Sequence, residues 1–139
     1  MIKFPLFIVT LLLTVLSFKS HAQQCQPQNL LCEYMPNPIG IDATSPRLKW
    51  VLEDNRQGAA QQAYQIFVGT DSLSVIHGEA NIWNTQKKVG SGMLVTYYGK
   101  PLTPFTKYYW AVKIWDKDGK VSQLSKVVSF ETGMMQMFN

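Results

Sequence analysis

Leu102-Thr103-Pro104-Phe105-Thr106-Lys107-Tyr108-Tyr109-Trp110-Ala111-Val112-Lys113-Ile114-Trp115-Asp116 is the stretch that decides the fold. From Tyr108 onward, Tyr108, Trp110, Val112 and Ile114 fall on one face, and Tyr109, Ala111, Lys113 and Trp115 on the other. A period of two built from aromatic and β-branched residues predicts a half-buried strand rather than a helix. Pro104 cannot donate to a ladder, so it belongs to the approach. Leu102, Pro104 and Thr106 keep the same two-residue spacing ahead of Tyr108. Beyond the strand, Asp116-Lys117-Asp118-Gly119-Lys120 predicts a hairpin turn, with Gly119 supplying a positive φ.

Working outward, further short strands are predicted at Leu30–Tyr34, Arg47–Leu52, Ala63–Val68, Ile82–Thr85, Leu94–Tyr98 and about Val127–Thr132. Leu48, Trp50 and Leu52 point inward on the second of these, and Tyr64, Ile66 and Val68 share a face on the third. The turn-rich run from Met35 to Pro46 links the first two strands, and Asp54–Gln62 is expected to be a polar hairpin loop. Asp71–Ala80 suggests a short helical turn with a break at Gly78. About seven short strands, punctuated by Gly and Pro and with no convincing amphipathic helix, indicate an antiparallel β-sandwich. Trp50, Tyr108 and Trp110 are its expected structural aromatics.

The 139-residue chain has room for one domain. Lys3, an apolar run from Leu6 to Leu16 and Ser20-His21-Ala22 read as a secretory signal over residues 1–22. That run is too short for a membrane span, which needs about 20 apolar residues. Export to the periplasm or the extracellular space is therefore expected. The three residues before Cys25 do not fit a lipoprotein signal. Residues 23–29 are expected to be a linker, 30–133 the sandwich and 134–139 an unstructured tail. Without Lys3 and Lys19, eleven basic residues face nine acidic ones, a net charge of +2. The Lys residues are scattered, which excludes a nucleic-acid stripe.

The chemistry-bearing residues are sparse. Cys25 and Cys32 leave two readings open: a disulfide closing a short loop, or a buried Cys32 and a loose Cys25. Two Cys without clustered His cannot hold zinc. Asp116-x-Asp118-Gly119 starts like a calcium loop, but its twelfth position is Val127, where a bidentate Glu is required. His77 stands alone, so no nucleophile–base pair is visible, and Gly90-Ser91-Gly92 lacks a phosphate-loop context. The sequence offers no cofactor site. Asp54, Asp116, Asp118 and Glu131 are the acids near loops or strand ends, and Asp116 and Asp118 belong to the expected turn. Of the aromatics, Trp83, Tyr109 and Trp115 are the candidates for contact with a sugar or a neighbouring domain, packing or docking being the favoured role.

The spacing of Leu102, Pro104, Thr106, Tyr108 and Trp110 resembles the corner and following strand of a fibronectin type III domain, where the Tyr hydroxyl bonds back to upstream backbone. A more specific resemblance comes from several segments in order. These are Leu31-Cys32-Glu33-Tyr34, Asn37-Pro38-Ile39-Gly40-Ile41-Asp42, Ser45-Pro46-Arg47-Leu48-Lys49-Trp50, Gln62-Ala63-Tyr64-Gln65-Ile66, Trp83, Tyr98-Gly99-Lys100-Pro101-Leu102, Tyr109-Trp110 and Trp115-Asp116. Together they resemble the fibronectin-type module at the N-terminus of bacterial α-L-rhamnosidases of glycoside hydrolase family 78, over roughly residues 30 to 134. Trp83-Asn84-Thr85-Gln86-Lys87-Lys88-Val89 departs from the family's WDSGKV, and Leu124 stands where many members have Trp.

The resemblance implies a non-catalytic module whose partners are the further β-domains and the catalytic (α/α)₆ barrel of a parent hydrolase. The family's catalytic residues map to nothing here. The chain then reads as truncated before that barrel, with no hydrolase activity of its own. The alternative is a stand-alone carbohydrate-binding or cell-surface module with rhamnose-containing glycans as partners.

Overall fold

The computed structural model describes residues 24–135; the expected signal, residue 23 of the expected linker and residues 136–139 of the expected tail lie outside the described residues. Eight strands and one short helix follow in the order Gln26–Cys32 (β1), Arg47–Glu53 (β2), Gln61–Gly69 (β3), Ser72–Ile76 (α1), Trp83–Asn84 (β4), Lys88–Val89 (β5), Leu94–Thr96 (β6), Lys107–Asp116 (β7) and Val128–Glu131 (β8). One sheet runs β1-β2-β6 and the other β4-β3-β7-β8, with β5 also paired to β3. Every strand pairing is antiparallel. The result is an immunoglobulin-like β-sandwich. β5 is additional to the expected set, because two residues are too few to show alternation.

β7 is the central strand of its sheet, and its alternation divides the two faces. Tyr108, Trp110, Val112 and Ile114 are all buried against Leu48 and Trp50 of β2, Ile66 and Val68 of β3 and Phe130 of β8. Each such large apolar side chain contributes roughly 1.5–3 kcal/mol by leaving water. On the outer face, α1 packs over Phe67 and Ala111, closing a second small cluster with Tyr109, Leu124 and Val127 at its margin. The Asp71 carboxylate caps α1 by accepting from the Ser74 N–H and hydroxyl.

The first strand differs from its expected bounds. β1 begins at Gln26, inside the expected linker, and ends at Cys32. A bulge between Gln28 and Leu31, with Asn29 at φ 51°, shifts the inward phase from Pro27 to Leu30 and Cys32. The break hides the strand from a test of strict alternation. At the other end Glu33 and Tyr34 both take positive φ, and Cys32 and Met35 exchange backbone hydrogen bonds across them. No Gly or Asn announces that turn. Glu33 secures it instead, its carboxylate accepting from the Arg47 backbone N–H at 2.6 Å and side chain at 2.7 Å.

Asp54–Gln62 is not a hairpin loop. β2 and β3 lie in different sheets, so residues 54–60 cross between them, and Gln61 and Gln62 already belong to β3. Gln61 is buried as a bracket. Its Oε1 accepts from Trp50 Nε1 at 2.9 Å, and its Nε2 donates to the carbonyls of Gly90 and Gly92 at 3.1 and 3.0 Å. After β7, the turn closes with Gly119 at φ 78°. Residues 121–127 then return beside β7, where the Ser122 and Ser125 N–H groups donate to the carbonyls of Ile114 and Val112 and their hydroxyls accept from the N–H groups of the same two residues.

Candidate functional site

At the approach to β7, the Tyr108 hydroxyl accepts from the Thr103 N–H at 2.9 Å and pairs with Thr103 Oγ1 at 3.1 Å. Tyr108 also stacks on Phe130, with ring centroids 5.2 Å apart. Thr132 Oγ1 accepts from the Thr106 N–H and donates to the Thr103 carbonyl, which stitches the end of β8 to the same corner. Trp50 and Trp110 are wholly buried; Trp110 Nε1 is a buried donor with no partner among the described residues.

Besides the Glu33–Arg47 pair, a second set of charges meets where β2 ends and β7 turns. Asp54 accepts from the Arg56 N–H and guanidinium, and Arg56 Nη2 reaches Asp116 Oδ2 at 3.2 Å. Asp116 Oδ1 accepts from the N–H groups of Asp118 and Lys120, both at 2.9 Å. The Arg56 guanidinium holds Asp54 well below the usual carboxylate range. Burial works against ionisation of Asp116, but the Lys120 N–H, Arg56 and the Asp118 N–H outweigh it and lower its pKa. An inverting glycosidase needs one carboxyl kept protonated as the acid and another free as the base. Here both acids are ionised and share one guanidinium, which makes them a clamp between the crossover and the turn. Glu131 sits apart on β8, and Asp118 is exposed in the turn.

Cys25 precedes β1 at the same end of the sandwich, and Asp54 is one of the charges that bear on its thiol. Cys25 and Cys32 are both buried and free. They stand at opposite ends of the extended β1, roughly 20 Å apart at about 3.3 Å per residue. A disulfide needs Cα atoms within about 7 Å. The pairing reading therefore fails, and so does the loose Cys25. Burial, reinforced by Asp54, pushes the Cys25 thiol up to about 11; burial and then Glu33 push Cys32 up to about 12.

The candidate contact aromatics are dispersed. Trp83 on β4 is half-buried, edge-on to Tyr97 at 5.1 Å. Gly99 allows that packing, since a Cβ there would lie 2.6 Å from both Trp83 Cβ and Tyr97 Oη. Tyr97 donates its hydroxyl to the Lys100 carbonyl, and burial raises its pKa to about 12. Tyr109 is half-buried at the margin of the α1 cluster, with Lys107 Nζ over its ring at 5.6 Å. Trp115 carries Lys87 Nζ at 4.8 Å and Lys113 Nζ at 5.6 Å from its ring centre. These three rings do not converge on one platform. More open apolar side chains lie elsewhere: Tyr98 at 88% exposure, Ile39 at 82% and Phe105 at 72%. Phe105 had a signal in the sequence, because it falls out of phase with Leu102, Pro104, Thr106 and Tyr108.

Comparison with known proteins gives these features a context. Residues 27–136 match the family described as the Rha78A-like N-terminal immunoglobulin domain. An α-L-rhamnosidase of Streptomyces avermitilis is 39% identical over 104 residues, covering 74% of this chain and 10% of that protein. An α-L-rhamnosidase of Formosa agariphila is 33% identical over 135 residues, covering 93% of this chain and 14% of that protein. Among solved structures, the α-L-rhamnosidase of Dictyoglumus thermophilum superposes with a TM-score of 0.78 at 32% identity, covering 83% of this chain and 13% of that one. The Streptomyces avermitilis enzyme, solved in complex with L-rhamnose, superposes with a TM-score of 0.77 at 36% identity, covering 81% and 11%. The chain thus spans about a tenth to a seventh of the length of these relatives. It belongs to the Rha78A-like N-terminal immunoglobulin-domain family.

Proposed function

We propose that this chain serves as the non-catalytic N-terminal module of an exported α-L-rhamnosidase, docking against and supporting the part of the parent that hydrolyses terminal α-L-rhamnosides. The observation that carries this reading is the extent of the likeness. Relatives named as α-L-rhamnosidases match along most of this chain, yet the match takes up only 10% to 14% of their length. The site chemistry agrees with it. Asp54 is held ionised by Arg56, and Asp116 by the Lys120 N–H together with Arg56 and the Asp118 N–H, so neither is set up as the general acid that glycoside hydrolysis requires. Hydrolysis then belongs to the remainder of the parent, and export to the segment 1–22.

Incubating the purified chain with a chromogenic α-L-rhamnoside tests the non-catalytic part of the reading. Release of chromophore is expected to match a heat-denatured control. Turnover above that control would overturn it.

A further inference from the structure

One surface fits the docking role better than the aromatics that the sequence suggested. Residues 38–42, 104–106 and 131–135 meet at one end of the sandwich. Gly40 and Ile41 donate their N–H groups to the Glu131 carbonyl, Phe105 to Gly133, Thr132 to Thr106 and Gly133 to Ile41. This backbone weave walls a groove of about 370 Å³ lined by Ile39, Gly40, Phe105, Glu131, Thr132 and Gly133. Ile39 and Phe105 stand on it at 82% and 72% exposure. Two large apolar side chains exposed on one groove are the mark of a contact surface.

Phe105 adds a second sign. It takes φ 50°, a left-handed conformation uncommon for a bulky side chain, and holds its ring outward. Backbone strain that presents an apolar ring to water points to a use outside the domain.

The course of the chain names the occupant. Beyond the end of β8, Gly133 is held so closely that a Cβ would lie 2.7 Å from Asp42 Oδ1 and 3.0 Å from the Gly40 carbonyl. The Met135 N–H donates to the same Asp42 carboxylate. The backbone is therefore fixed up to residue 135, beside the groove. The family is an N-terminal domain and its relatives are seven- to tenfold longer, so in them the remaining chain departs from this point. We infer that the groove flanked by Ile39 and Phe105 is the seat of the polypeptide that follows residue 135 in a rhamnosidase-length chain, which places an apolar side chain between them. Glu131 on the wall favours a Lys or Arg at the rim of that partner. This inference rests on the docking role proposed above.

The test grafts residues 24–135 in place of the matching domain of the Streptomyces avermitilis enzyme and compares amide exchange in the graft with that in the free chain. Exchange in segments 38–41, 104–106 and 131–134 is expected to slow by on the order of tenfold or more in the graft. Phe105→Asn supplies the sharper readout, because Asn tolerates a left-handed backbone. It should leave the melting temperature of the free chain unchanged or raised, while reversing the added protection in the graft. Protection confined to another face would overturn the surface assignment and leave docking intact. No added protection anywhere would overturn both. Mixing the free chain with the enzyme stripped of its own N-terminal domain reads the same protection without depending on the graft.

Discussion

Replacing Gln61 by Leu tests whether a buried polar bracket, rather than apolar packing alone, fixes β3 against β2. Leu nearly preserves the volume and removes the amide. Trp50 Nε1–H is wholly buried and would lose its acceptor, an orphan that costs about 1–3 kcal/mol. The carbonyls of Gly90 and Gly92 lose a donor too, but Gly92 is exposed and Gly90 half-exposed, so water offsets most of that loss. The expected destabilisation is about 2–3 kcal/mol. In a domain of about 110 residues this lowers the melting temperature by about 10 °C and the urea midpoint by about 1–2 M. Trp50→Phe provides the control, since Phe has no N–H to orphan. In that background Gln61→Leu should cost less than about 1 kcal/mol, a coupling of about 1–2 kcal/mol between the two sites. A loss below about 0.5 kcal/mol in the parent, or an equal loss in both backgrounds, would refute the bracket.

Four other outcomes follow from the same geometry. The folded pKa values of Asp54 and Asp116 lie below the ordinary 3.8, so the stability they contribute is present above that value and is lost as pH falls through their folded values; circular dichroism against pH should show acid unfolding, moved to higher pH by Arg56→Met. Cys25 and Cys32, raised to about 11 and 12, should resist iodoacetamide at pH 8 until urea opens β1, and intact mass should show two free thiols under air; prompt labelling in buffer or a mass two daltons lower would contradict the buried, separated pair. Gly99→Ala should destabilise by about 1–3 kcal/mol in urea unfolding, because its Cβ would overlap Trp83 and Tyr97; no change would mean the ring pair yields freely. Titration with rhamnose-containing oligosaccharides should leave tryptophan fluorescence without a saturable change, whereas saturation lost on Trp115→Ala would restore the glycan-binding alternative.

The sandwich was readable wherever burial follows a strict period. Tyr108 through Ile114 and Leu48 through Leu52 announce their inward faces because each strand packs one side against the core. A helical turn was readable in Asp71–Ala80 with its break at Gly78, whereas the Asp71 cap emerged only from the structure. β1 was misplaced because its bulge breaks the period and its turn at Glu33-Tyr34 uses residues with no turn signature, stabilised at a distance by Arg47. The crossover at Asp54–Ala60 looked like a hairpin because local polarity does not say which sheet the next strand joins. The Asp54–Arg56–Asp116 clamp joins residues 60 positions apart, a proximity that topology creates. The outer face of β7 was read as open, but α1 and the return segment cover its middle, which leaves Tyr109 and Trp115 half-buried. Phe105 and Ile39 are exposed where the chain leaves the domain, a relation visible only once residues 40 and 133 are seen to touch.

The most direct test of the central claim is the size of the native product, measured by immunoblot of envelope and secreted fractions with antibody against residues 23–139. Relatives in which this domain is 10% to 14% of the protein predict a band about seven to ten times the length of the domain, carrying rhamnosidase activity. A sole band at the size of the domain itself would contradict its role as a module within a longer enzyme.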